Sequence, residues 1–286
     1  MAGIVPGKLI TAPEPIGRRY GLLSAAAGPI DLPPHGAGGG VRYVPVSCGE
    51  AHAWPIECAD DAVVSTAKQG DPGDELVEAD PFAVYASYEC GSVGYTPREF
   101  TDKVLRRLAN GEQGAVEYSL WTGNSDVGGV DLGISNFQDD ASAITVANEA
   151  DLVSVISAME EWAYLTMGYG NVAYIHAPVS MAAWFGADHL IRIEGGLYKT
   201  DFGSIIVFGG GYPGTGANGE APPAGGAYLH ITGQTTVYRS AEPFVYPVPQ
   251  TLDKSTNQYF LLAEREYAVA FDCMVGRALF NPLGGS

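Results

Sequence analysis

Residues 96–123 of the chain read TPREFTDKVLRRLANGEQGAVEYSLWTG, and this stretch predicts the longest regular element of the protein. Thr96 can cap the first turn of a helix through its hydroxyl, and Pro97 suits the first helical position. Glu99 stands three residues after Thr96, where a capping box places an acidic residue. Gly123 can take the left-handed conformation that often ends a helix. The sequence therefore predicts one helix between Thr96 and Gly123.

The apolar residues of this helix recur at the spacing of a single buried face. They are Phe100, Val104, Leu108, Ala115 or Val116, and Leu120. The charged residues are assigned to the faces that meet water or partners, and they are Arg98, Lys103, Arg106, Arg107, Glu112 and Glu117. Gly111 and Gly114 each cost about 1 kcal/mol relative to alanine in a helix interior. We therefore expect a bend or break there unless a neighbour packs against the helix.

The composition indicates a folded chain with a substantial core. Of its 286 residues 46% are hydrophobic and 17% are charged, and glycine (38), proline (19) and tyrosine (16) are abundant. This balance favours strands, turns and irregular segments over a helical bundle. The net charge of −18 argues against a dedicated nucleic-acid-binding surface, because phosphate contacts need clustered Lys and Arg. No run approaches the ~20 apolar residues that span a bilayer, and no signal-peptide pattern is present, so we expect no membrane association.

Residues 1–40 contain too much proline and glycine for a regular element of their own. The segment is mildly basic, because Lys8, Arg18 and Arg19 outnumber Glu14 and Asp31. Either it is an extended arm that borrows apolar surface from the rest of the protein or from another chain, or it is an unstructured terminus. The residues alone do not decide between these two interpretations.

The rest of the chain predicts a mixture of strands and helices. Strands are expected at 41–47, 81–88, 171–177, 205–208, 227–232, 235–238 and 258–272, and further helices at 151–167 and 178–185. Between the first two strands lies an acidic excursion with a turn at Asp71-Pro72-Gly73. From Glu50 to Glu89 it has ten acidic residues against Lys68, which favours a solvated loop over a surface for a basic partner.

The sequence contains only weak matches to motifs for catalysis, cofactors and metals. Gly209, Gly211 and Gly214 match GxGxxG, but no helix is predicted to follow, so a surface loop is favoured over a dinucleotide site. The histidines His35, His52, His176, His189 and His230 form no metal-binding pattern, and we interpret His176 and His230 as structural residues within strands. Asp139-Asp140 and Glu160-Glu161 would serve a hydrolase only if the fold brought carboxylates together. We therefore predict no catalytic, cofactor or metal site.

The four cysteines are Cys48, Cys58, Cys90 and Cys273, and none stands in a CxxC pair. They are too few for a disulfide scaffold. Buried free thiols are favoured, while a bridge between Cys48 and Cys58 that closes a loop remains open.

The order of these elements resembles a known family. The features are a Pro/Gly-rich arm, a long excursion, a long helix ending in Ala115–Gly123, a helix-strand-helix unit and long closing strands. Short sequence features that contribute to the resemblance are Tyr20–Ser24, the Cys48 to Cys58 spacing, Pro81–Tyr85, Asn171–Pro178, and the ending from Asn257 through Ala263-Glu264-Arg265 to Cys273. Together they resemble the HK97-like major capsid proteins of tailed bacteriophages, especially those of phages that infect actinobacteria.

The resemblance implies an α+β fold with the parts of an HK97-like capsid protein. These would be an N-terminal arm at 1–40, an extended loop at 41–95, a spine helix at 96–123, a peripheral domain at 124–148 and 236–286, and an axial domain at 149–235. The loop from Gly209 to Gly226 would gather at the centre of a capsomer. In this scheme Gly111 and Gly114 would let the spine helix bend to different local curvatures.

The same resemblance implies a virion protein, assembled in the host cytoplasm, that forms hexamers and pentamers around double-stranded DNA without sequence specificity. Its partners would be itself and minor capsid or decoration proteins, with no cofactor. The residues expected at interfaces are Arg18, Arg19, Tyr20, Arg106, Arg107, Tyr212 and Pro213. We expect the four arginines to meet acidic groups of neighbours, or DNA where they face inward. Alternatives are a minor capsid, decoration or tail protein, an encapsulin-like nanocompartment shell, and an enzyme with a carboxylate site assembled by the fold.

Overall fold

The computed structural model describes two large β-sheets that are joined by one long helix, and a third sheet of two strands. The described residues are 20–33, 36, 38–45, 76–91, 96–139, 143–166, 172–246, 252–253, 255, 258–272 and 275–284. The helices are α1 Leu22–Ala25, α2 Pro97–Thr122, α3 Leu152–Thr166 and α4 Ala182–Ala187. The strands are β1 Ala27–Leu32, β2 Val41–Tyr43, β3 Val77–Ala79, β4 Pro81–Gly91, β5 Ala143–Glu149, β6 Tyr174–Pro178, β7 Arg192–Glu194, β8 Leu197–Lys199, β9 Ile205–Gly209, β10 Ala227–Thr232, β11 Thr235–Ser240, β12 Phe244–Val245, β13 Leu252–Asp253, β14 Gln258–Phe271 and β15 Val275–Phe280. Short 3₁₀ turns lie at Val179–Met181 and Ala217–Gly219.

The long helix begins and ends where the sequence predicts. Thr96 Oγ1 accepts from the Glu99 amide at 3.3 Å, and the Glu99 carboxylate accepts from the Thr96 amide at 2.7 Å, which completes the capping box. Gly123 has a φ of 71° and its N–H donates to the Ser119 carbonyl at 2.8 Å. Local chemistry therefore fixes both ends of α2.

The buried face of α2 is confirmed, with two corrections. The predicted apolar residues Phe100, Val104, Leu108, Val116 and Leu120 are all buried. Glu112 and Glu117, which were assigned to water or partners, are buried as well, because each has polar partners in the core. The helix also runs unbroken through Gly111 and Gly114, where a bend or break is expected only if no neighbour packs against the helix.

The first sheet has six strands and is organised by β14. β4 pairs with β14 along one edge, from Pro81 opposite Ala268 to Gly91 opposite Gln258. β11, β12 and β13 pair with its other edge, and β1 is added to β11 in parallel. Phe100 of α2 lies between Tyr88 of β4 and Tyr259 of β14, at ring-centroid distances of 6.0 and 5.2 Å. α2 therefore covers one face of this sheet.

The second sheet has seven strands in the order β5, β15, β10, β6, β9, β8, β7. α3 packs on it through the buried residues Leu152, Val155, Ile156, Met159 and Ala163, which confirms the predicted periodicity. Four strands of this sheet, β5, β7, β8 and β15, were not predicted from the sequence. β15 was expected in the peripheral domain, yet it pairs with β10 of the region expected to be axial. The division into those two domains otherwise stays a prediction.

The N-terminal segment is partly built into the subunit. β1 of this segment pairs with β11, and Leu22 is fully buried, so the expectation that residues 1–40 hold no regular element is wrong for residues 22–32. At the base of the acidic excursion β2 pairs with β3, from Val41 opposite Ala79 to Tyr43 opposite Val77. The predicted strand at 41–47 thus ends early, and the turn at Asp71-Pro72-Gly73 lies outside the described residues.

Candidate assembly surfaces

An ion pair buried between α2 and β14 fixes how the helix lies on the six-stranded sheet. The side chains of Glu112 and Arg265 are 9% and 14% exposed, and Arg265 Nη1 donates to the two carboxylate oxygens at 2.9 and 3.2 Å. Because both charges are withdrawn from water, each depends on the other for its stabilisation. The helix cannot shift along the sheet without leaving two buried charges uncompensated.

A second buried carboxylate joins three distant parts of the chain. Glu117 is fully buried, and its two oxygens accept from the amides of Leu22 and Gly211, each at 2.9 Å. A Cβ atom at position 211 would lie 2.0 Å from the carbonyl oxygen of Gly114, so only glycine permits this approach. Gly211 of the GxGxxG pattern is thus explained by packing against α2, while a Cβ at Gly209 would meet the Tyr212 ring and one at Gly214 would meet Pro178. The neighbour that the helix needs at Gly114 is the 209–211 segment.

A cluster of five rings lies where the end of α2 meets the seven-stranded sheet. The rings belong to Trp121, Phe137, His176, Tyr212 and His230, and each residue is at most 4% exposed. His230 meets the edge of Trp121 at 4.6 Å and stacks on Phe137 at 5.0 Å between centroids. The cluster makes the joint between helix and sheet a packed aromatic core.

The two histidines of this cluster are held in their neutral forms. His176 Nδ1 lies 2.9 Å from the Tyr212 hydroxyl, and its Nε2 lies 3.2 Å from Thr232 Oγ1. Within the described chain neither ring nitrogen of His230 has a hydrogen-bond partner. Burial lowers the pKa of His176 to about 3, and burial together with the positive charge of Arg277 lowers the pKa of His230 well below its ordinary value. The expectation of structural histidines agrees with this placement.

Exposed positive charge is concentrated on the N-terminal half of α2. Arg98, Arg106 and Arg107 are exposed, and Lys103 is half-buried. Lys103 Nζ donates to the Tyr88 hydroxyl at 3.2 Å, while Arg107 donates to the Ser87 carbonyl at 2.9 Å and lies over the Tyr88 ring at 4.5 Å. We call these four residues the cationic face of α2.

The opposite face of the six-stranded sheet has the opposite charge. Side chains alternate between the two faces of a strand, and Leu261, Ala263 and Arg265 point toward α2. Glu264 and Glu266 therefore point away, as does Glu89 of β4, which is opposite Phe260 in the register. We call the outward side chains Glu89, Glu264 and Glu266 the carboxylate face.

Aromatic residues lie among these carboxylates. They are Tyr85, Phe244, Tyr246 and Phe260, which are between 39% and 51% exposed. Phe244 and Tyr246 contact each other edge to face at 4.9 Å. Half-exposed aromatic side chains with a polar surround are typical of surfaces that bind other proteins.

The carboxylates of this region have structural partners rather than a catalytic arrangement. A groove of about 210 Å³ beside β12 is lined by Glu242, Glu264 and Glu266. Glu266 accepts from Ser240 Oγ at 2.8 Å, and Glu264 accepts from the Tyr246 hydroxyl at 3.3 Å. Across the described residues, no group of three or more His, Cys, Asp and Glu side chains is placed to hold a metal ion. The described helices also include none long and apolar enough to cross a membrane.

The residues predicted at interfaces occupy different kinds of position: some lie outside the described residues, one packs within the subunit, and others are exposed. Arg18, Arg19, Cys48 and Cys58 lie outside the described residues. The Tyr20 ring contacts Tyr198 at 4.1 Å, and its carbonyl accepts from the Phe208 amide at 3.0 Å, so it packs on its own seven-stranded sheet. Arg106 and Arg107 are exposed on α2.

The prediction for Tyr212 needs a correction. Its side chain is 4% exposed and bonded to His176, because the Gly-rich loop folds back onto the end of α2. The side chain is therefore not available to a neighbouring subunit. Pro213, the next residue, is exposed.

Sequence reasoning missed the two buried glutamates that hold the helix in place. A signal for Glu112 was present, since Phe100, Val104, Leu108, Glu112, Val116 and Leu120 follow one another at intervals of four. Glu117 had no such signal, because its partners lie 95 and 94 residues away in the chain.

Comparison of the structure with solved structures finds close matches over nearly the whole chain. The capsid of the empty GTA particle computed with C5 symmetry aligns with a TM-score of 0.59 at 11% identity, over 97% of this chain and 95% of that chain. Mycobacterium phage Adephagia gives a TM-score of 0.53 at 13% identity, over 95% and 92% of the two chains. Gordonia phage Cozz gives 0.52 at 10% identity, over 96% and 90%.

No protein-family model and no curated protein matches the sequence. At 10–13% identity the relationship is visible only in the structure. The agreement over almost the full length of both chains shows that these chains share one fold.

Proposed function

We propose that this chain, whose α+β fold matches solved phage capsid structures of the HK97 type, is the main structural subunit of an icosahedral phage head. In this proposal it assembles into hexamers and pentamers that enclose double-stranded DNA. The observation that carries the proposal is the alignment with the capsid of the GTA particle over 97% of this chain. A fold by itself does not establish a function, so the other support comes from the surfaces of this chain.

The mechanism of such a subunit is geometric. Glu112 and Glu117 hold α2 on the six-stranded sheet and on the 209–211 segment, which gives each subunit a layer of defined shape. Contacts between unlike surfaces of identical subunits close into rings when the rotation between them closes. Each interface would bury at least the standard ~1,600 Å². The half-exposed aromatic residues of the carboxylate face are candidates for such contacts.

The interface residues and chain segments expected from the sequence enter the proposal with two changes. Arg18, Arg19, Arg106, Arg107 and Pro213 remain candidates for contacts with neighbours or DNA. Tyr20 serves first as a contact within the subunit, and the side chain of Tyr212 is removed from the set. A Cys48–Cys58 bridge stays an open part of the proposal, as do the arm at 1–40, the extended loop at 41–95 and the loop at 209–226 as a capsomer centre.

The role is proposed to be structural rather than enzymatic. Gly211 of the glycine motif packs against α2, and in the groove beside β12 Glu266 accepts from Ser240 while Glu264 accepts from Tyr246. The two central histidines are buried and neutral rather than poised at a surface.

Electron microscopy of the purified recombinant chain tests this function. Closed shells, or rings of five or six subunits, are the expected result. A monomer that stays monomeric at high concentration and under crowding would contradict it. Quantitative mass spectrometry of the virion adds a second measurement, because a main shell subunit is present in hundreds of copies whereas a minor or tail protein is scarce.

A further inference from the structure

Strand β4 has one paired edge and one open edge. Its paired edge meets β14, whose even-numbered residues face β12, as the bond from the Tyr246 amide to the Leu262 carbonyl shows. The odd-numbered residues of β14 therefore face β4, and the register places them opposite even-numbered residues of β4. The odd-numbered residues of β4, from 83 to 89, thus direct their amides and carbonyls away from β14.

Most backbone groups on the open edge have no partner within the described part of the chain. The Ser87 carbonyl accepts from the Arg107 guanidinium at 2.9 Å. The described residues supply no hydrogen-bond partner to the outward amides and carbonyls of Ala83, Tyr85 and Glu89. Unpaired groups in a row along a strand form a template to which a further strand can add.

A groove of about 440 Å³ lies beside this edge. It is lined by residues 83–87 of β4, by Gly111 and Ala115 of α2, and by residues 125–127 of the loop that follows α2. No atom of the described chain lies within 4 Å of a Cβ placed at Gly111, so the groove has room there for side chains of an added strand. Because α2 and the loop bound the groove, the added strand has to be a single extended segment rather than the edge of a second folded sheet.

The chain contains a segment that suits this groove and precedes the described structure, which begins at Tyr20. Residues 8–12, KLITA, are the longest run without proline or glycine within residues 1–19, and they include the β-branched Ile10 and Thr11. A strand of five residues is about 17 Å long. This length matches the five residues of β4 that line the groove.

Charge favours this segment over the excursion between β2 and β3. Glu89 on the open edge and Asp126 in the groove are acidic, against the single positive charge of Arg107. Residues 44–76 of the excursion include seven acidic residues and one basic residue, so they would add repulsion. Residues 1–19 have three basic residues and one acidic residue.

We infer that residues 8–12 of a neighbouring copy add to the open edge of β4 as an antiparallel strand. Lys8 then lies opposite Glu89, which places opposite charges on a cross-strand pair. Leu9 and Thr11 point toward α2, over the space at Gly111. Main-chain bonds supply the affinity, and the alternate side chains fix the register. This inference rests on the proposed function, because the shell supplies the neighbouring copy.

Disulfide formation in assembled shells tests the inference. Lys8→Cys combined with Glu89→Cys places two thiols on the proposed pair, where the Cα atoms are about 5.5 Å apart and can be bridged. Lys8→Cys combined with Glu161→Cys is the matched control, because Glu161 is exposed on α3 beside the other sheet. Oxidised shells are compared on non-reducing gels with the parent chain, which has four cysteines of its own.

The gel separates the possible locations of the segment. We expect the first pair to link subunits into covalent oligomers, and the control pair to link them several-fold less. A link within one subunit would show that the segment docks on its own chain, which overturns the assignment to a neighbour. Equal linking by both pairs, or no linking by the first pair in intact shells, also overturns the inference. If the parent chain forms no shell, the proposed function itself fails, so the two failures are distinguishable.

Charge reversal gives a second measurement that needs no crosslink. Lys8→Glu and Glu89→Lys each place like charges opposite one another, which destabilises a strand pair. We expect each single variant to raise the protein concentration needed for shell formation several-fold. The double variant restores opposite charges and should assemble at the concentration of the parent chain. Unchanged concentrations in the single variants, or no recovery in the double variant, would overturn the inference.

Discussion

His176 and His230 lie directly opposite each other on neighbouring strands of the seven-stranded sheet, and both are fully buried. Arg277 follows His230 in the same row across the sheet. Three groups that can carry positive charge therefore lie side by side in the core. The fold is compatible with this row only while the imidazoles are neutral, because charging them would place like charges together away from water.

The first prediction is an acid-dependent loss of stability. The pKa of each histidine is lower in the folded state than its ordinary 6.5, so the unfolded chain takes up protons first as the pH falls. The contribution of these two histidines to the free energy of unfolding is therefore complete above pH 6.5. It declines as the pH falls toward about 3, the pKa of folded His176. The slope is at most about 1.4 kcal/mol per pH unit for each histidine.

This slope is measured by urea unfolding between pH 7 and pH 5. His230→Phe should reduce it, because His230 has no hydrogen-bond partner within the described residues and its ring sits among aromatic neighbours. His189→Asn is the matched control, since His189 is exposed and its φ of 56° is one that asparagine tolerates. An unchanged slope in His230→Phe would contradict the assignment.

The second prediction concerns Glu117, the carboxylate that accepts from the amides of Leu22 and Gly211. Glu117→Leu leaves the buried N–H of Leu22 and the partly buried N–H of Gly211 without this acceptor, at a cost of about 1–3 kcal/mol each. We expect the free energy of unfolding to fall by about 2–6 kcal/mol. Glu161→Leu, on the exposed side of α3, should change it little. Equal losses in the free energy of unfolding for the two variants would show that Glu117 does not hold these chain segments together.

The contrast between α2 and the residues it binds shows what the sequence can predict. The ends of α2 follow from residues within four positions of each other, namely Thr96 with Glu99 and Gly123 with Ser119. Such signals involve residues close together in the chain, so they can be read from the sequence without knowledge of the tertiary structure. The partners of Glu117 are brought in by chain segments almost a hundred residues away, and no local pattern encodes them.

The missed strand β15 illustrates the other kind of failure. Its sequence VGRALF places a glycine and an arginine inside a buried strand, which conceals the expected apolar run. Gly276 is needed because a Cβ there would lie 2.6 Å from the Trp162 ring of α3. Arg277 is buried in the row of the two histidines. Both exceptions come from tertiary contacts, which override strand propensity.

The third prediction is a strong coupling between Glu112 and Arg265. Removing either charge alone, as in Glu112→Leu or Arg265→Leu, leaves the other buried and unpaired, and we expect a loss of about 3–5 kcal/mol for each. The double variant should lose far less than the sum, because no uncompensated charge remains. A double-mutant cycle by chemical denaturation measures the coupling. Additive losses would show that the pair does not act as a unit.

The fourth prediction concerns two glycines whose surroundings in the structure differ. No atom lies within 4 Å of a Cβ placed at Gly111, so Gly111→Ala should stabilise α2 by up to about 1 kcal/mol. At Gly211 the Cβ would lie 2.0 Å from the Gly114 carbonyl oxygen, so Gly211→Ala should be destabilising. Thermal unfolding of the two variants gives shifts of opposite sign if this packing is correct.

The last prediction tests which residues of the N-terminal segment belong to the subunit core. Removal of residues 1–19 leaves Leu22, the Glu117 contact to its amide and the pairing of β1 with β11 in place, so the core should stay folded. Removal of residues 1–32 deletes all three and should destabilise the isolated subunit. If residues 1–19 serve neighbouring subunits, the shorter deletion will block shell formation in electron micrographs while leaving the unfolding transition unchanged. Normal shells from this variant would show that assembly does not need residues 1–19, and a lost transition would show that they belong to the core.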